Sequence, residues 1–139
     1  MRYFILIFIV LITQTAYSQT YNLTITITNI KTISGEIKIG VYNTKYNFPH
    51  KKQEYRAFTF KVKAFAEIFT VKDLPKGEYA VAVFHDKNSD GICNTNFIGI
   101  PEEGYGFSKN FKPFLSEPSF KDCKIDLTNN MQIMIKLIL

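Results

Sequence analysis

Leu23, Ile25 and Ile27 alternate with Thr24, Thr26 and Thr28. This period of two puts aliphatic groups on one face of an extended segment and hydroxyls on the other, so it dictates a half-buried β-strand. The pattern returns in Ile37, Ile39 and Val41 after a Ser34-Gly35 turn, and the two runs together suggest a hairpin. Phe58, Phe60 and Val62 alternate next, and Ile68 to Val71 continues strand character after a break near Ala64, which suggests a second hairpin. Tyr46 to Tyr55 carries Asn47, Pro49, His50 and two lysines and reads as a surface connection.

After the Leu74-Pro75-Lys76-Gly77 turn, Tyr79, Val81 and Val83 interleave with Ala80, Ala82 and Phe84, so this strand is apolar on both faces. Such a strand belongs in the middle of a sheet. Cys123 to Leu127 and Met131 to Leu139 supply two last strands around Asn129-Asn130. Phe111, Phe114 and Phe120 are assigned to the core edge. About seven short strands without an amphipathic helix predict an all-β fold, an antiparallel β-sandwich.

The first residues, MRYFILIFIVLITQTAYSQT, hold one arginine, an apolar run from Tyr3 to Ile12, and Ala16-x-Ser18 spaced as a cleavage signal. They read as a secretory signal peptide over residues 1–18, removed to leave a single β-sandwich domain over 19–139. The apolar run falls short of the roughly 20 residues usual for a transmembrane helix. The expectation is therefore a periplasmic or secreted protein with no stable membrane insertion after cleavage. The net charge of +5 comes from scattered lysines rather than a basic stripe, which gives no support for nucleic-acid binding.

The central strand runs directly into HDKNSDGICN. Asp86, Asn88 and Asp90 occupy alternate positions, Gly91 permits a sharp turn, Ile92 offers its carbonyl, and Asn94 stands at the ninth position. Oxygen ligands so spaced can wrap a short segment around one hard cation, and calcium is the expected cofactor. The loop also resembles dockerin-type loops. Its twelfth position is Phe97, where a helix-loop-helix calcium site supplies a bidentate carboxylate, so that ligand must come from elsewhere. Glu102 and Glu103 lie close enough in sequence to return. A competing reading needs no metal, because Asp and Asn side chains also bond their own backbone in Asx turns.

LPKGEYAVAVFHDKNSDG followed by NFIGIPEEGYGFS is similar to the signature of an exported bacterial family, domain of unknown function 2141. The resemblance extends from YNLTITITNI to the last strand. It implies an immunoglobulin-like or transthyretin-like sandwich, similar to carboxypeptidase regulatory-like and surface-protein B-type domains, and carries no established activity. It also implies an acid where Asn94 stands, which makes this copy of the loop weaker than its relatives.

Gly99 to Ser108 reads as a long loop whose Tyr105 and Phe107 either form an aromatic platform beside the cation or cap one end of the sandwich. The platform reading would make the protein a carbohydrate- or protein-binding module. Cys93 and Cys123 are the only cysteines. Export would permit a disulfide between them, and two separate thiols are the alternative. His85 with Cys93 is too small a set for zinc. No HExxH, G-x-S-x-G or phosphate-cradling glycine loop occurs, so the expectation is a protein that is not an enzyme.

Overall fold

The computed structural model describes residues 18–114 and 116–139. The signal-peptide reading therefore lies almost wholly outside the described residues. The described chain is mostly strand: β1 (Thr20–Thr28), β2 (Glu36–Tyr42), β3 (Arg56–Lys61), β4 (Glu67–Pro75), β5 (Gly77–Asp86), β6 (Tyr105–Phe107), β7 (Ile125–Leu127) and β8 (Met131–Lys136). A short 3-10 turn covers Ser108–Asn110, and a one-turn helix, α1, covers Phe120–Cys123. Among the described residues no helix is long and apolar enough to cross a membrane.

Two sheets face each other as an all-β sandwich. One has the order β4-β1-β8, and the other runs β3-β2-β5-β6 with β7 also paired to β5. Leu23, Ile25 and Ile27 from β1 meet Ile37, Ile39 and Val41 from β2 and Val81 and Val83 from β5, all buried. The alternation seen in the sequence is thus the inner face of each sheet. Burying each of these aliphatic side chains contributes on the order of 1.5–3 kcal/mol.

As its sequence implies, β5 is central, with β2 along one edge and β6 and β7 sharing the other. Its second face is covered as well. Ala80, Tyr42, Phe48, Phe120 and Cys123 form a separate buried cluster, against which Phe107 and Phe111 pack. Phe48 from the 43–55 connection, with Phe107, Phe111 and Phe120, therefore clothes the outside of this sheet.

The expected sandwich is present, and several finer expectations need correction. The Ser34-Gly35 segment does not close a hairpin, because β1 pairs with β4 and β8 whereas β2 pairs with β3 and β5. It arches from one sheet to the other, as does the β3–β4 connection, so that each strand's apolar face covers its sequence neighbour across the core. The sandwich is not purely antiparallel: β8 returns beside β1 from the opposite sheet and runs parallel to it. Tyr105–Phe107 is a strand, not loop. Cys123 ends α1 rather than opening a strand, and Ser119 and Asp122 hold the helix start by a reciprocal capping box. Phe114 is 84% exposed and does not join the core edge.

Candidate functional site

The loop after β5 begins at a residue that β2 holds in place. Asp86 pairs with Glu36 across the sheet and is fully buried. Its Oδ1 accepts from the Asp90 amide at 3.1 Å and its Oδ2 from the Gly91 amide at 2.8 Å. A buried carboxylate without partners would be costly, and these bonds, with Lys38 Nζ 3.5 Å away, supply them. Lys38 also bonds Glu36, and these two acids raise the lysine pKa, Glu36 foremost. Gly91 takes φ +81°, a left-handed conformation that glycine adopts without penalty.

Asp90 organises the next turn. Its Oδ1 accepts from the Ile92 amide at 2.8 Å, while Asn88 Nδ2 at 2.9 Å and Asn94 Nδ2 at 3.3 Å donate to Oδ2. The Ile92 N–H, followed by the Asn88 side chain, holds the Asp90 carboxyl below its ordinary pKa. The candidate residues Asp86, Asn88, Asp90, Ile92 and Asn94 are thus brought into one ring of contacts.

Glu103, which the sequence offers only as one of two returning acids, closes that ring. It is 4% exposed, and its Oε1 accepts from the Lys87 amide at 2.7 Å while Oε2 accepts from the Asn94 amide at 3.0 Å. One carboxylate therefore ties the two limbs of the loop together. The neighbouring Glu102 is exposed and contributes backbone, its amide donating to the Asn94 carbonyl at 2.8 Å. Beyond this neck the chain makes a small turn. Thr95 bridges Pro101, Gly99 N–H donates to the Asn96 carbonyl, and Asn96 Oδ1 accepts from Ile98 and Ile100. Phe97, at the twelfth position, is 98% exposed and supplies no ligand.

The loop's candidate ligands, carboxylate and amide oxygens, are of the kind that hard cations take. Asn94 Oδ1 is buried without a hydrogen-bond partner, the sole such side-chain atom among the described residues. The carboxylates, in contrast, already accept from the loop's own N–H groups, as in Asx turns. Among the described residues no three His, Cys, Asp or Glu side chains form a group that could hold a metal. A cation here would lean on neutral oxygens, Asn94 Oδ1 first, which suits calcium better than zinc.

The model of a family described as uncharacterised proteins conserved in bacteria, DUF2141, matches residues 25–134. The chain belongs to this family. The matched span takes in both sheets and the entire loop from Asp86 to Glu103. No curated protein and no solved structure matches the chain.

The two cysteines do not form a bridge. Both thiols are free. Cys123 is buried beside Ala80, and its carbonyl accepts from Ser108 Oγ, which also accepts from the Val81 amide. Cys93 lies near Glu103 and Asp86, at the other end of β5. Ala80 and Asp86 are six residues apart along an extended strand, roughly 20 Å. A disulfide needs Cα atoms within about 7 Å, so the expected Cys93–Cys123 bond is not formed. Burial, then Glu103 and Asp86, push the Cys93 thiol up to about 11, and burial pushes Cys123 to about 12. Both shifts disfavour the thiolate that a nucleophilic cysteine requires. His85 is buried, with Nε2 2.7 Å from the Ser34 carbonyl oxygen.

The two candidate platform aromatics lie on β6 beside the sandwich. Phe107 packs edge-on against Phe48 at 6.0 Å, and Tyr105 lies against Phe107 at 6.0 Å, both partly buried. Their strand is drawn onto the sandwich at Gly106, where an added Cβ would stand 2.7 Å from Ile135 Cγ2.

Proposed function

We propose that this protein is an exported, non-enzymatic β-sandwich module, periplasmic or secreted, whose Asp86–Asn94 loop is stabilised by one calcium ion. The observation that carries the reading is the buried, unpartnered Oδ1 of Asn94, whose Nδ2 donates to Asp90. A buried carbonyl oxygen without a partner is destabilising, and a cation bound to it removes that deficit. Asp86 and Asp90 contribute the negative charge, and the Ile92 carbonyl and Asn88 complete an all-oxygen set. Gly91 at φ +81° gives the turn that such a loop needs at its sixth position.

The test is calorimetry and thermal unfolding of protein whose N-terminus mass spectrometry has placed at Gln19, across submillimolar and millimolar calcium and magnesium. Calcium at about a hundred times its dissociation constant would stabilise by about 2.7 kcal/mol. Magnesium, which demands octahedral geometry and keeps its waters, substitutes poorly. Asp90→Asn retains an oxygen and removes a charge, so the calcium effect falls. An unchanged melting temperature and no binding heat would leave the Asx-turn reading standing. Intact Met1 on correctly localised protein would refute cleavage. Glycan-array binding that is independent of calcium would favour a carbohydrate-binding module instead.

A further inference from the structure

The β1–β2, β3–β4 and β5–β6 connections leave the sandwich at the same end, because Glu36, Lys61 and Asp86 are register partners and β4 begins opposite Ile27. This end carries Ile33, Phe65, Ile92, Phe97, Ile98 and Ile100, half of the twelve large apolar side chains that stand exposed among the described residues. Concentration of this kind marks an interaction site, whereas scattered exposed apolar groups do not. The stretch from Gly91 to Pro101 contains no charged residue, although 21% of the chain is charged. Phe97 at 98% and Ile98 at 63% exposure project from a turn braced by Asn96, so they are held outward rather than collapsed onto the core.

Charge around this tip is arranged asymmetrically. The loop acids Asp86 and Glu103 are buried at its root, which leaves Asp90 and Glu102 as its exposed acids. Lys31 and Lys63 stand exposed on the two neighbouring connections. Lys51 is also exposed, and its Nζ would lie 4.0 Å from a Cβ at Gly91. Exposed lysines therefore stand on the connections at the same end as an uncharged apolar protrusion, Lys51 closest to its root. A protein partner would need a pocket matched to this convex tip. A fluid acyl layer conforms to it without one, and its phosphates complement the lysines.

We propose that this end of the sandwich docks reversibly on a phospholipid surface containing anionic headgroups, with Phe97 and Ile98 entering the acyl boundary and the lysines facing the phosphates. The contact is peripheral and does not depend on a bound cation, so it stands or falls separately from the calcium reading.

The chain has no tryptophan, which makes Phe97→Trp a single-site reporter. It is mixed with phosphatidylcholine vesicles and with phosphatidylcholine–phosphatidylglycerol vesicles in the presence of a chelator. The expected result is a blue shift of tryptophan emission on both and stronger partitioning onto the anionic vesicles. In co-sedimentation, Phe97→Ser combined with Ile98→Ser lowers wild-type partitioning at least about tenfold without changing the melting temperature, since both side chains are exposed. Lys31→Gln and Lys63→Gln each weaken binding about fivefold on anionic vesicles only. Comparing variants with the same N-terminus cancels any contribution from the leader. No blue shift, or wild-type partitioning by the double serine variant, overturns the proposal. Self-association that the double serine variant abolishes, with no vesicle binding, assigns the surface to a second copy and also overturns it.

Discussion

Glu103→Gln isolates one carboxylate that joins the two limbs of the candidate loop. In the wild type Oε1 and Oε2 each accept one backbone N–H, at 2.7 and 3.0 Å, and the residue is 4% exposed. Hydrogen bonds to a charged acceptor contribute about 1.5–3 kcal/mol each. Glutamine retains one acceptor oxygen, so one bond survives in weaker, neutral form. The other position becomes an NH2 group facing an N–H donor, and a buried donor is left unsatisfied. The net loss is about 3 kcal/mol. For a domain of this size 1 kcal/mol shifts the melting temperature by about 4 °C, so a fall of about 12 °C is expected. Glu102→Gln, one residue away but exposed, stays within about 0.5 kcal/mol of wild type. Differential scanning calorimetry gives the stability difference, and amide exchange reads Lys87 and Asn94 directly. Equal stabilities for the two glutamine variants, or unchanged protection of those two amides, would refute the closing role of Glu103.

Three further outcomes rest on other parts of the fold. Gly35→Ala, at φ +69°, drives a methyl into the Asp86 carbonyl oxygen, so it destabilises by more than about 3 kcal/mol in chemical denaturation. Gly99→Ala, at φ +82° in open space, carries only the backbone penalty of about 1–2 kcal/mol; similar values for both would refute the close approach. The free thiols resist alkylation in the native protein near pH 8 and both react after denaturation without reductant, whereas a mass corresponding to a linked pair would overturn their separation. Because folding raises the Cys93 pKa, its contribution is fully present below the ordinary value of 9.0. It is lost as pH rises from there toward about 11, so the unfolding midpoint declines through that window.

What could be read in advance divides along the range of the interactions. The inward positions of β1, β2 and β5 follow from a period of two, a local property, and Ile25, Ile39 and Val81 lie in the core as that period requires. Strand partnership is not local. Ser34-Gly35 carries the same turn chemistry whether it closes a hairpin or arches between sheets, and only the burial of both apolar faces against each other selects the arch. Tyr105–Phe107 was hidden for a different reason: three residues around Gly106 are too few to display a period, and their extended form depends on β5 beside them. The same division runs through the loop. D-x-N-x-D-G encodes the turn that Asp86 and Asp90 make with their own amides, whereas Glu102 and Glu103 are chemically identical in sequence. Only the strand direction into β6 decides that Glu103 turns inward. Cysteine count and compartment likewise say nothing about which end of β5 each thiol occupies.

The inward turn of Glu103 also explains how an apolar tip can persist in water without collapsing. A flexible loop carrying Phe97, Ile98 and Ile100 would bury them against the nearest apolar surface, because that lowers the free energy of the chain. Here the buried carboxylates at the neck and the Asn96 bonds at the turn oppose that rearrangement, since collapse would break charge-assisted contacts at Lys87, Gly91 and Asn94. The same rigidity lowers the ordering cost when the tip meets another apolar phase, so little conformational freedom remains to be lost on docking. Root and tip are therefore parts of one device. The polar neck holds the backbone in a single form, and that form keeps the apolar side chains available to a surface outside the molecule.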